Sequence, residues 1–210
     1  MKRKNIIITF LYLSFIIPQC GIRDLFADSK NDQFYFDEAM NFREEKNYYR
    51  AIVNFNKAIK LNPKDADIYV ERGRAHELDG NLEEAMNDYN YAIQLNPRHK
   101  VAYYERSWLK SDNRIKDFDG AIMDMRQTVI LDPYNVETML DLATIYNFAN
   151  KNREAVKILT KAIDIEPENG NLYYWRGVYK NWYLYPNGCR DIKKSKKLKA
   201  SDYYPVAGSC

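Results

Sequence analysis

Leu61-Asn62-Pro63 returns as Leu95-Asn96-Pro97, as Leu131-Asp132-Pro133 and as Ile165-Glu166-Pro167. The four prolines are 34, 36 and 34 residues apart. A fixed period in that range marks one supersecondary unit stacked along an axis, because a lone unit cannot bury its apolar face. Such arrays present an elongated surface to another chain and rarely carry chemistry.

Each unit divides into two amphipathic helices. In the second unit, Asp65-Ala66-Asp67 places carboxylates beside the unpaired amides of a helix start. Tyr69, Gly73, His76 and Leu78 follow at helical spacing, and Asp79-Gly80-Asn81 breaks the helix. The next helix runs from Leu82 to Leu95, with Ala85, Tyr89, Ala92 and Ile93 on one face. Pro97 forces a restart, since it steers residue 96 out of the α region and suits an early helical turn.

Small residues recur in register. Ala39, Gly73, Ser107, Ala143 and Gly177 hold one place in successive first helices. Ala51, Ala85, Ala121 and Ala155, and again Ala58, Ala92, Thr128 and Ala162, do so in the second helices. Phe55, Tyr89, Met125 and Leu159 fill the space between, so small faces large and the helices can pair closely.

The same register exposes a covariation. Arg72, Arg106 and Arg176 share a place in their first helices, and their second helices carry Asp88, Asp124 and, with a one-residue shift, Asp191. Where the Arg is missing the Asp is missing too: Glu38 goes with Asn54, and Leu142 with Ile158. Presence and absence together predict a structural ion pair inside each such unit.

The formal charge of +3 resides in Lys2, Arg3, Lys4 and Arg23 against Asp24, and residues 28–210 balance at 28 basic and 28 acidic. No global field points to nucleic acid. Ile6–Ile17 is uncharged but shorter than the ~20 residues a bilayer span needs, and Pro18-Gln19 ends it. A basic start and a short apolar run read as an export signal. Cleavage after Ala27 makes residues 1–27 the signal peptide; lipidation of Cys20 makes it 1–19 and anchors the chain to a membrane. With Cys20 processed, Cys189 and Cys210 remain as an even pair in an oxidising compartment, a disulfide closing a loop of about 20 residues worth roughly 3 kcal/mol. Two unpaired thiols are the alternative.

Chemistry is hard to find. The histidines are His76, at the place of Phe42 and Tyr146 and so a core residue, and His99, beside Arg98 and Lys100 and poorly placed for metal. No Cys-x-x-Cys, His-Glu-x-x-His or phosphate-cradling Gly-rich loop occurs, and a nucleophilic triad lacks its base. The expectation is no enzyme, no metal and no cofactor.

A 34-residue helix–turn–helix unit with an early aromatic, Gly or Ala four residues on, then Ala, a large apolar residue, Ala and Pro resembles the tetratricopeptide repeat. The resemblance implies an all-α, right-handed α-solenoid with units at 32–65, 66–99, 100–135 and 136–169. The third is lengthened by two residues in Ser111–Gly120. A degenerate fifth unit and cap cover 170–199, before a tail at 200–210. In that cap a short basic helix follows Pro186-Asn187-Gly188 and carries Lys193, Lys194, Lys196, Lys197 and Lys199. It reads as a solvated end or, alternatively, as a binder of anionic lipid. It resembles the cysteine-containing caps of exported bacterial tetratricopeptide proteins.

The resemblance further implies that first helices line a concave groove, here with Val70, Arg74, Tyr104, Trp108, Leu140, Thr144, Tyr174, Asn181 and Trp182, residue types that include those dominating binding hot spots. Family members that clamp a peptide carboxylate use Lys, Asn and Arg, where this chain has Phe36, Met40, Glu71, Val101 and Glu105. Two acids there would repel a carboxylate and favour an apolar or basic segment. The expected function is an exported, monomeric adaptor that binds another protein in the cell envelope; a structural subunit of a stable oligomer is the alternative class.

Overall fold

The computed structural model describes residues 31–184 and 188–200, with the side chains of 181–184 outside the description. The described residues form ten helices. They are α1 (Asp32–Glu44), α2 (Tyr48–Leu61), α3 (Ala66–Leu78), α4 (Leu82–Leu95), α5 (Lys100–Ser111), α6 (Phe118–Leu131), α7 (Val136–Phe148), α8 (Asn152–Ile165), α9 (Gly170–Leu184) and α10 (Cys189–Lys197). Each packs on its predecessor and its successor, making an all-α solenoid of helix pairs.

Local chemistry sets the boundaries. Asn62, Asn96, Asp132 and Glu166, each before a proline, have ψ between 77° and 95°, outside the α region. The prolines lie in the turn rather than in the first helical turn. Asn31, Asn47, Asp65, Asp117 and Asn135 cap the following helices by accepting from a backbone N–H. Within units, Lys46, Gly80, Lys116 and Asn150 take positive φ between 56° and 88° and reverse the chain. The lengthened third unit accommodates its extra residues there, at 112–117.

Packing follows the small-against-large pattern. Phe55, Tyr89, Met125 and Leu159 are wholly buried, as are Ala39, Ser107 and Ala143. A Cβ on Gly73 would lie 2.7 Å from Cε1 of Tyr89, and one on Gly177 would lie 2.7 Å from Cδ1 of Ile192. Glycine is therefore required opposite the tyrosine, where alanine suffices opposite leucine. Leu78 departs from the expected stripe: it is 55% exposed at the last turn of α3, beyond the reach of α4.

First helices of neighbouring units touch, α1 with α3 and α3 with α5. The first helices thus form the inner side of the array, and furrows floored by them open between the second helices.

Gly73→Ala should lower stability by about 1–3 kcal/mol through overpacking against Tyr89. Adding Tyr89→Leu, the partner found opposite Ala143, should recover part of the loss in thermal melts.

Candidate binding surfaces

The three Arg–Asp pairs are bidentate in the structure. Arg72 donates from Nε and Nη2 to Asp88 at 2.9 and 2.5 Å, Arg106 to Asp124 at 2.8 and 2.6 Å, and Arg176 to Asp191 at 2.8 Å from both nitrogens. The remaining Nη1 crosses to the preceding unit, to Asn56 at 2.6 Å, Asn90 at 2.7 Å and Thr160 at 3.2 Å respectively. Each guanidinium also lies about 5.5 Å over a tyrosine ring, Tyr69, Tyr103 or Tyr173. One side chain therefore ties a first helix to its own second helix and to the one before. A lysine, with its compact charge, could not hold this geometry.

Sequence reading found the Asp partner and missed the cross-unit acceptor, although the same register reveals it. Asn56, Asn90, Arg126 and Thr160 are equivalent, and the one cation among them stands where the next first helix carries Leu142. The reading of His76 also changes. Its place is shared by Lys110 and Lys180, which donate to Asp124 and Asp191 at 2.8 and 2.9 Å. Units with the Asp have a base there, and units without it have Phe42 or Tyr146. His76 belongs to the first group but leaves Nδ1 buried without a hydrogen bond among the described residues.

On the inner side, Arg43 and Arg74 both donate to Glu71, the latter at 2.5 Å, and Arg74 also holds Glu105. This corrects two expectations. Arg74 is a bridge between units rather than a free ligand contact, and Glu71 and Glu105 are neutralised, so the predicted repulsion of a carboxylate is cancelled. The clamp is still unavailable, because both arginines are occupied. Two groove candidates are lost to burial: Val70 is 1% exposed within the core and Tyr174 is 5% exposed against Trp175. The same register position is thus buried in the second and fifth units and half-buried in the third and fourth.

Tyr104, Trp108, Leu140 and Thr144 remain half-buried on α5 and α7. Tyr104 and Trp108 pack edge to face at 6.4 Å, and Tyr104 donates to Asp141 at 3.0 Å. Burial raises the Asp141 carboxyl above its usual range, an effect the Tyr104 hydrogen bond only partly offsets. Thr144 Oγ1 lies 3.4 Å from the Tyr179 hydroxyl. The side chains of Asn181 and Trp182 lie outside the described residues, as do Cys20, Cys210 and the leader.

Two remaining features have local roles. His99 is buried and caps α5: Nδ1 accepts from the Ala102 amide at 3.2 Å, so Nε2 donates to Asp67 at 2.9 Å. In α10, Asp191, Ile192 and Ser195 are buried, Lys194 lies over the Tyr173 ring, and Lys193, Lys196, Lys197 and Lys199 point outward. Cys189 is disulfide-bonded, and Cys210, the expected partner, is not among the described residues.

Models of the tetratricopeptide repeat match residues 66–99 and 136–169, and a TPR repeat model matches 41–80. The chain belongs to the tetratricopeptide-repeat family. Sperm-associated antigen 1 of Mus musculus is 35% identical over 60 residues, a match spanning 29% of this chain and 7% of that protein. Among solved structures, MamA superposes with a TM-score of 0.70 at 18% identity, covering 85% of this chain and 98% of that one. MamA 41-end from Desulfovibrio magneticus RS-1 gives 0.69 at 16% identity, covering 82% and 97%. YrrB, a TPR protein with an unusual peptide-binding site, gives 0.67 at 14% identity, covering 84% and 91%. These likenesses concern the tetratricopeptide fold.

Arg106→Ala should cost about 2 kcal/mol, because it removes a bidentate pair and the bridge to Asn90 and leaves the largely buried Asp124 with Lys110 alone. Arg114→Ala, at a pair whose arginine is 58% exposed, should leave the unfolding midpoint unchanged. Urea unfolding of both variants checks the contrast.

Burial pushes the His76 imidazole below its usual range, against the pull of Asp88. The folded state then binds this proton less readily than the unfolded chain does. The contribution is whole above about pH 6.5 and is lost as pH falls toward the depressed folded value. His76→Phe should flatten that part of the stability profile when unfolding is followed from about pH 7.5 down to about 5.5.

Proposed function

We propose that this protein is a non-enzymatic interaction scaffold whose concave side takes an apolar segment of a partner protein. Family membership supports the scaffold role. The observation that carries the finer reading is the edge-to-face Tyr104–Trp108 pair, half-exposed beside Leu140 and Thr144. Tyrosine and tryptophan supply large contact area at low entropic cost. The neighbouring arginines are taken up by acids, Arg43 and Arg74 by Glu71 and Glu105, while Asp141 accepts from Tyr104 and is raised toward its neutral form by burial. A charged ligand would have to break those pairs to gain new ones, whereas an apolar ligand would leave them intact. The peptide-binding site ascribed to YrrB is consistent with such use of the fold.

For the place of action we propose export to a bacterial envelope. The support is the basic Met1–Asn5 stretch followed by the uncharged Ile6–Ile17 run. Retention by a lipid on Cys20 and release after Ala27 are the two routes, and the mass of the mature chain distinguishes them.

A photocrosslinking residue at position 108 should capture one specific protein in cells, and the same residue at 114 should not. Trp108→Ala should remain folded by circular dichroism and weaken binding of the captured partner at least ~10-fold. Absence of any specific product from position 108 would overturn the concave reading.

A further inference from the structure

The Arg ladder is interrupted at one described junction, between the third and fourth units, and the interruption is concerted. Arg126 stands in place of the Asn or Thr acceptor, Leu142 in place of Arg, Tyr146 in place of His or Lys, and Ile158 in place of Asp. All four line a single open cavity of about 410 Å³ between α6 and α8. At the other junctions the guanidinium bridges this same furrow.

A replacement made only to preserve packing would need apolar residues alone. Here the floor is apolar, with Leu142 3% exposed, but the rim is basic: Arg126, Lys157 and Lys161 against the lone acid Glu154. The wall is also unusual. Ile130 lines the cavity and is 65% exposed, and Met123, two turns earlier on α6, is 72% exposed. In the flanking units the place of Ile130 is taken by Gln94 and Asp164, and that of Met123 by Asn87 and Lys157. Exposed apolar side chains beside a groove of this size mark an interaction surface.

We propose that the furrow between α6 and α8 is a second docking site, for a partner segment carrying apolar side chains flanked by carboxylates. The apolar groups enter over Leu142 and Ile158, and the carboxylates meet Arg126, Lys157 and Lys161. Charge complementarity selects this occupant over a basic segment, which the rim repels. Neither Tyr104 nor Trp108 lines this cavity, so the site stands or falls independently of the concave reading.

The test is fluorescence anisotropy of the full chain with a short fluorescein-labelled peptide that sets leucines at helical spacing among glutamates. Saturable binding that weakens with salt is expected, with at least ~10-fold loss when lysines replace the glutamates. The triple variant Arg126→Asn, Leu142→Arg, Ile158→Asp writes the ladder into this junction. It should remain folded by circular dichroism and lose binding at least ~10-fold, whereas Trp108→Ala should bind as the parent does. If the triple variant does not fold, Ile130→Glu with Lys157→Glu, both at exposed positions, must produce the same loss. Undiminished binding by the folded ladder variant, or by the Ile130→Glu/Lys157→Glu variant, would overturn the proposal, and so would equal binding of the lysine peptide. A parent dimer in light scattering that the ladder variant dissolves would assign the furrow to a second copy and overturn it as well.

Discussion

An alanine, serine or glycine at one place in each first helix allows the paired second helix to approach until its Phe55, Tyr89, Met125 or Leu159 is wholly enclosed. The other features of the array depend on that approach. Close pairing brings the Arg of a first helix within bidentate reach of the Asp opposite, and it makes room for a guanidinium over the tyrosine one turn earlier. Where the enclosed residue is largest, at Tyr89, even a methyl group on Gly73 cannot be accommodated. The interlock therefore limits both size and shape, as close-packed interiors do.

The Arg ladder builds on this frame. A guanidinium presents several N–H donors in a fixed plane, and the Asp takes only part of them. The unused edge of Arg72, Arg106 and Arg176 is satisfied by the preceding second helix, which makes a nominally internal pair into a joint between units. Nearest-neighbour coupling is what gives a solenoid its stiffness and cooperativity. Its absence between the third and fourth units changes the furrow there from a polar bridge to an apolar trough with a basic edge. One array can in this way carry two chemically distinct surfaces, an aromatic one on α5 and a basic-rimmed one between α6 and α8.

Much of this was legible in the chain. The proline period located the units, and Asp65-Ala66-Asp67 marked the start of one first helix. The Arg–Asp partnership emerged from comparing units with one another. Individual surface residues were less legible. Val70 and Tyr174 share a register position with half-buried Tyr104 and Leu140, yet both are enclosed. Glu71 and Glu105 look like free acids in sequence and are each held by an arginine from another helix or turn.

The sequence by itself determined the unit, its register and the residues that must be small, because helical period and proline geometry act over a few residues and leave a local trace. Only the tertiary structure decided which polar groups remain available to a ligand. That depends on which side chains from adjacent units meet, and a guanidinium reaching from α3 to α5, or back to α2, has no signature in the spacing of either helix alone.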